Sequence, residues 1–438
     1  MKSIQVVDAV MGTGKSTWAI QGLNVTQKRT IVVLPYKEEI KRYVDMLDNT
    51  VGVIALHDDH NGKNKQERFE DALLDAQVII ATHVLLKDFL KPHVFTLIEE
   101  GNWHLLMDEA IGTFEPINGL SKTILDGWKV NGIVTIEDVN DRLKRISPVH
   151  GVTEGFIKAD SHECTQTEKT LLARSLVHDL LMVNDGGVKG FFSFALSEHR
   201  LKSFQSLTVL TYMYIGSDLD YWCRIKGMDV EHTELIRDAD GGFKLAPHNG
   251  QYGGSQFKGM IQILDVKGKY GVQSGQLSAT SSKALTKESN AHHIHEIQKD
   301  LRRHFRNRKR SIIVTPDDFM FTSLESCKGI WTGYQLPAKL IGESTWVAFN
   351  KRGVNGLAHK HNLAFLFNVY QHPAIRHVVN SCMEDTTYSD DTYALSTLLQ
   401  WIWRSAIRNG EKIRVYIPSK RMRELLKGWL NNTSKKGT

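Results

Sequence analysis

The chain has 438 residues, 41% of them hydrophobic and 24% charged, which is average globular usage and excludes a disordered, fibrous or collagen-like protein. That length predicts roughly two or three domains with real cores. The formal net charge of +6 suits a polyanionic partner without demanding one, and four scattered cysteines, with no C-x-x-C pair, argue against a zinc ribbon or a secreted disulfide framework.

Short β-branched runs open the chain at residues 4–9, 31–35, 51–56, 78–82 and 104–110, with helical stretches such as 36–47 and 66–76 between them. Strands that alternate with helices predict a parallel sheet whose ligand sits at the strands' carboxyl ends. The first of these runs leads into Ala9-Val10-Met11-Gly12-Thr13-Gly14-Lys15-Ser16-Thr17, a P-loop pattern with Ala for the first Gly, and a helical stretch follows. Gly12, Thr13, Gly14, Lys15, Ser16 and Thr17 are the expected nucleotide-binding residues. The glycines let backbone amides curve round a phosphate, Lys15 reaches the outer phosphates, and Ser16 ligates Mg²⁺.

The fifth run ends in Asp108-Glu109. Two adjacent carboxylates are costly inside a sheet, so they belong at its exposed end, where a metal and water meet them. Asp108 is the expected second Mg²⁺ ligand and Glu109 the expected base for a water attacking the γ-phosphate of ATP. The rhythm breaks over 113–200, an insertion of unassigned purpose, and resumes with a strand at 207–212. The Gly- and Asp-rich stretch 238–254 is the expected linker or loop between a first lobe (1–237) and a second (255–438).

The second lobe has predicted strands at 260–266, 329–334, 346–350, 363–368 and 413–418, and helices at 292–305 and 393–408. In the latter helix Gln400, Arg404 and Arg408 fall on one face and Leu395, Leu398, Leu399, Ile402 and Ala406 on the other, at about 100° per residue. A polar stripe is ordinarily a solvated face; beside a P-loop it becomes a candidate pair of transition-state arginines.

Taken together these segments resemble a superfamily 2 helicase, closest in character to phage-encoded DEAD-like helicases, over most of the chain. Residues 11–17 are similar to motif I, 32–37 to motif Ia, Ala81-Thr82-His83 to motif Ic, Asp108-Glu109-Ala110 to motif II, 351–355 to motif V and 400–410 to motif VI. The resemblance implies two RecA-like parallel-sheet lobes, the first carrying the insertion, with ATP and Mg²⁺ as cofactors. It also implies backbone contacts to nucleic acid from Pro35, Lys37, Thr82, His83, Arg352, Gly353 and Asn355, and arginine fingers in motif VI. Departures exist. Motif VI spaces its second arginine one residue later than is common in the family, so Arg404 is preferred and Arg408 kept. Leu277-Ser278-Ala279-Thr280 spells motif III yet lies in a Gly/Ser-rich stretch without a strand before it, so motif III, with Thr211 as the coupling residue, is assigned to 210–212.

The basic run from Arg302 to Arg310 is equally a phosphate-binding patch and a solvated helix end. His292, His293 and His295 lack partners at metal-ligand spacing. The expected partner is nucleic acid, DNA before RNA, with no membrane contact and a cytoplasmic location, the host's if the protein is phage-encoded. The leading expectation is an ATP-dependent helicase or translocase in phage replication, recombination or repair. Its rivals are a remodelling, annealing or branch-migration ATPase, a packaging motor and a non-catalytic relict.

Overall fold

The computed structural model describes residues 4–56, 64–158, 165–184, 190–238, 240–273, 275–307, 311–332, 346–350, 356–383 and 385–432. They form two compact α/β units, Met1–His248 with Gln371–Tyr388, and Asn249–Tyr370 with Ser389–Thr438. Each is built on a largely parallel sheet, the RecA-like arrangement.

In the first unit the strands β1 (Ile4–Asp8), β2 (Thr30–Leu34), β3 (Val53–Ala55), β4 (Val78–Thr82) and β5 (His104–Asp108) coincide with the five predicted runs. An insertion follows with β6 (Phe114–Pro116), β7 (Val134–Asp138), β8 (Leu143–Pro148), β9 (His178–Asn184) and β10 (Gly190–Leu196). The main sheet then resumes as β11 (Leu207–Thr211), β12 (Val230–Arg237) and β13 (Phe243–Pro247). Its order is β13-β12-β1-β11-β5-β2-β4-β3, parallel throughout except for β13. Every residue of β2 is buried, as a central parallel strand covered on both faces requires. Val7, Val32, Leu34, Ile80, Leu106 and Leu210 share one face with Ile20 and Leu23 of the helix Lys15–Val25 and with Ile40 and Tyr43 of the helix Lys37–Met46.

The predicted linker over 238–254 is corrected. Asp238 closes a tight turn by accepting the Gly242 amide at 2.6 Å, and Phe243–Pro247 returns along β12 as the sheet's last strand. The turn chemistry was legible, but a five-residue edge strand that ends in proline and follows a Gly- and Asp-rich turn was not. The first unit therefore runs on to His248, and residues Gln371–Tyr388 also belong to it.

The insertion is a separate antiparallel sheet, β6-β10-β9-β8-β7, covered by helices that bury Leu125, Trp128, Leu171 and Leu172 against Ile146, Leu180 and Phe192. Two arginines fasten it. Arg174 forks onto Glu115 at 2.7 and 2.6 Å, and this hydrogen bonding holds the Glu115 carboxyl at about 2. Arg200, 4% exposed, donates to the carbonyls of Leu86 (2.6 Å), Leu90 (2.9 Å) and Val177 (3.3 Å) and lies over the Phe95 ring. Burial pulls its pKa down to about 10, yet it stays charged at neutral pH.

In the second unit β14 (Ile261–Ile263), the two-residue strands β15 (Arg306–Asn307) and β16 (Ile312–Ile313), β17 (Phe319–Thr322), β18 (Asn362–Phe365) and β19 (Ile413–Tyr416) follow in turn. A parallel sheet β14-β19-β18-β17 packs Phe319, Phe321 and Tyr416 against Leu301 and Phe305 of the helix Ala291–Phe305. Three expectations fail here. Residues 329–332 of the predicted 329–334 strand belong to the helix Lys328–Thr332, which buries Trp331; the rest of that prediction lies outside the described residues. The predicted strand at 346–350 is a single bridge from Trp346 to Phe321, while β17, four buried residues behind Pro316-Asp317-Asp318, was missed. The helix predicted over 393–408 ends at Ile402, because Trp403, Arg404 and Ser405 turn inward and are buried. No described helix is long and apolar enough to cross a membrane.

Replacing Arg200 by Met would strand three carbonyls that the guanidinium now serves. We expect Arg200→Met to lower the first unit's unfolding free energy by about 3 kcal/mol, read by urea unfolding, with faster amide exchange along 85–90.

Candidate active site

β1 brings the chain to a buried carboxyl end at Asp8, and residues 9–14 turn before the helix Lys15–Val25 begins. Gly12 and Gly14 have φ of 80° and 100°, the left-handed region that glycine enters without strain. Gly14 is constrained a second time: a Cβ there would stand 2.6 Å from the Phe243 ring. The helix starts with no side-chain cap, so its first-turn amides and the positive end of its dipole face the loop. Thr13 Oγ1 donates to the Val10 carbonyl at 2.8 Å and tightens the loop from within.

Lys15 is folded back into this loop, donating from Nζ to the carbonyls of Ala9 and of Val10, the latter at 3.2 Å. Burial lowers its pKa to about 8, opposed by the negative charges of Asp8, Asp108 and Glu109. Ser16 Oγ donates to Asp108 Oδ2 at 2.6 Å. The same oxygen accepts the Tyr43 hydroxyl at 2.7 Å and lies 3.7 Å from Arg42 Nη2. Burial and the adjoining Asp108 carboxylate push the Tyr43 hydroxyl well above the phenol range, which keeps it a proton donor. Glu109 follows with φ of 64°, a left-handed conformation costly for a residue that carries a side chain, pinned by its amide donating to Leu210 O at 2.9 Å.

Two oxygen donors, Ser16 and Asp108, thus converge beside a glycine-bearing loop and the buried Lys15. This hard-oxygen donor set fits Mg²⁺ held with a triphosphate. β11 stands between β1 and β5, so Leu210 lies opposite Asp108 and Thr211 opposite Asp8, and the Thr211 carbonyl accepts the Ala9 amide at 3.1 Å. Thr211 thus bonds the P-loop side, and its neighbour Leu210 the acidic pair. Leu277-Ser278-Ala279-Thr280 stands in the second unit, where Ser278 accepts the Ser281 amide at 3.5 Å and caps the segment Ala279–Ala284, while the Leu277 carbonyl accepts the Asn368 amide at 2.9 Å.

The nucleic-acid candidates divide. Pro35 and Lys37 follow the carboxyl end of β2, and Thr82 ends β4 with His83 after it, on the same sheet edge as the P-loop; Lys37 is exposed, Pro35 and Thr82 are half-buried and His83 is buried. Arg352, Gly353 and Asn355 lie outside the described residues. The expected stripe of Gln400, Arg404 and Arg408 is not one helix face. Gln400 stays on the helix Asp390–Ile402, Arg404 is buried with Nη1 on Ala348 O at 3.2 Å, and Arg408 is exposed on a short 3-10 turn. Of the basic run, Arg302 and Arg303 end a helix, and Arg303 is 3.2 Å from Asp300. Residues 308–310 of that run lie outside the described residues.

Sequence reasoning missed Tyr43, Arg42 and Phe243. Tyr43 shows only the helical spacing of a core residue beside Ile40, and Phe243 stands in what reads as a linker. Neither position carries a signal in a single sequence.

Residues 255–430 match the family model described as the YonV C-terminal Rossmann-like domain. The chain is 27% identical over 452 residues, covering 99% of itself and 100% of its relative, to the SPbeta prophage-derived uncharacterized protein YonV of Bacillus subtilis (strain 168). Among solved structures it is similar to one titled XPD, apo, at 12% identity and a TM-score of 0.49, covering 98% of this chain and 96% of that one. It is also similar to S. tokodaii Xpd4 at 11% and 0.47, covering 99% and 95%. An S. cerevisiae Dbp5 variant bound to RNA and ADP BeF3 matches at 8% and 0.36, covering 99% and 84%.

If Lys15 is to hold phosphate it must be charged, and with a pKa of about 8 that form is lost as the pH rises through that value. Affinity for a nucleoside triphosphate should therefore be flat below neutrality and fall about tenfold between roughly pH 7 and pH 9. Lys15→Arg, which stays charged, should flatten the profile in equilibrium binding across that range.

Proposed function

We propose that the chain is an ATP-hydrolysing nucleic-acid motor of the superfamily 2 helicase type. The observation that carries this reading is the Ser16–Asp108 contact of 2.6 Å beside a loop with Gly12 and Gly14 in left-handed conformations. In that reading Gly12, Thr13, Gly14 and Thr17 present backbone amides to the phosphates. Lys15 leaves the carbonyls of Ala9 and Val10 and pairs with the outer phosphate oxygens. Ser16 and Asp108 would hold Mg²⁺, which when bound would supply positive charge to neutralise the phosphate oxygens. Glu109, held off the strand end by its left-handed backbone, orients a water and takes its proton. Arg404 and Arg408 remain the candidate cations for transition-state charge, with Gln400 beside them in sequence.

Nucleic acid is the proposed activator. Lys37, Pro35, Thr82 and His83 would follow its backbone from the first unit, and Arg352, Gly353 and Asn355 from the second. The net charge of +6 favours a polyanion, and Thr211, bonded to the P-loop through Ala9, would couple the two events. We favour DNA over RNA and a role in phage replication, recombination or repair; the prophage origin of a full-length relative supports the latter.

ATPase turnover with and without single-stranded, duplex, forked and four-way DNA or RNA tests the proposal. Stimulation by at least one substrate is expected, and turnover indifferent to all of them would refute the motor. Lys15→Ala and Glu109→Gln should each cut kcat by about 100-fold or more while leaving the melting profile unchanged. Unwinding against annealing on forked DNA then separates a helicase from a remodelling ATPase.

A further inference from the structure

On the sheet face opposite the helix Lys15–Val25, a second set of donors converges. Asp8 ends β1, is 1% exposed, and accepts the backbone amides of Met213 on Oδ1 at 2.9 Å and of Tyr214 on Oδ2 at 2.8 Å. His232 of β12 sets Nε2 at 2.9 Å from the same Oδ2. His248 is held across from it, its amide donating to His232 O at 3.0 Å, so the two imidazoles stack with centroids 4.1 Å apart and 21° between planes. One carboxylate oxygen and one ring nitrogen from each histidine all lie within 4.8 Å of one another. Glu234, two residues along β12 on the same face, is close enough for the Asp8 charge to help burial raise its pKa.

We propose that Asp8, His232 and His248 form a binding site for a divalent transition-metal ion of the zinc class. Two imidazoles and a carboxylate are the donor set such ions prefer and Mg²⁺ does not, which separates this site chemically from Ser16 and Asp108. The Met213 and Tyr214 amides do what outer-sphere groups do at metal sites: they fix the carboxylate before the ion arrives. With donors about 2.0–2.2 Å from an ion, tetrahedral ligands stand roughly 3.3 Å apart, so Asp8 and His232 are near that spacing and a small rotation of the half-buried His248 ring completes it. Ligation at His232 Nε2 requires its proton on Nδ1, a tautomer change within the ring. Water can take a fourth position, with Glu234 on the same face of β12 as His232. An ion there would tie β1, the turn after β11 and the β12–β13 hairpin together, three segments that meet at the base of the P-loop.

The test is a Co²⁺ titration of the full chain, freed of metal by chelation, in excess Mg²⁺ so that hard-oxygen sites are filled. One equivalent should bind with visible d–d absorption, compete with Zn²⁺ and raise the melting temperature. His232→Gln and His248→Gln should each weaken binding by about tenfold or more. Glutamine substitutions at His292 and His293, another close imidazole pair, with ring centroids 3.8 Å apart, should leave it unchanged. X-ray absorption at the zinc edge of the unaltered protein, which needs no variant to fold, should give two imidazoles among nitrogen and oxygen ligands. Absence of stoichiometric binding, affinity unchanged from the unaltered protein in both histidine variants, or a zinc shell without two imidazoles would each overturn the site.

Discussion

The first unit is organised around one carboxylate oxygen. Asp108 Oδ2 receives the Ser16 hydroxyl at 2.6 Å and the Tyr43 hydroxyl at 2.7 Å, so the P-loop helix, the helix after β2 and the end of β5 meet at a single atom. That meeting depends on the order of strands. With β11 alone between β1 and β5, the P-loop and the acidic pair leave the same edge of the sheet close enough for a serine to bridge them. The parallel direction of these strands follows from long buried crossovers, and those rest on the β-branched runs that the sequence displays openly.

Legibility followed that hierarchy. β1 to β5 and β11 declare themselves because each is a short buried run bounded by polar turns, and the P-loop declares itself because phosphate chemistry tolerates few residue types at fixed spacing. The second unit is less legible. Its sheet is smaller, Trp331 makes a short helix look like a strand, and β17 has only four residues behind a proline. The stripe of Gln400, Arg404 and Arg408 failed for a reason periodicity cannot carry. Burial of Trp403 and Ser405 stops the helix, and a tertiary preference of that kind leaves no mark on the spacing of Leu398, Leu399 and Ile402.

The site itself was half visible. Lys15, Ser16, Asp108 and Glu109 follow from motif chemistry, whereas Tyr43 and Arg42 reach Asp108 because a helix lies against the sheet, which is a packing fact. Asp8 is separated from His232 and His248 by more than 200 residues of sequence and meets them only because β12 returns beside β1. The insertion's strands pair only with one another, and it is joined to the rest of the unit both by the buried Arg200 guanidinium and by the helix Pro373–Cys382, which packs on its sheet and stacks His377 on Phe191.

The antiparallel strand β13 has a consequence for how the first unit meets solvent. A parallel sheet that stopped at β12 would present a row of unpaired amides and carbonyls, an invitation to intermolecular strand addition. β13 takes up that row and substitutes an edge closed by Pro247, which has no amide to offer, and carrying Lys244 outward. A fragment cut at residue 237 would therefore lose more than a tether: it would leave β12 as an edge open to intermolecular pairing and lose Phe243, the ring against which Gly14 is packed.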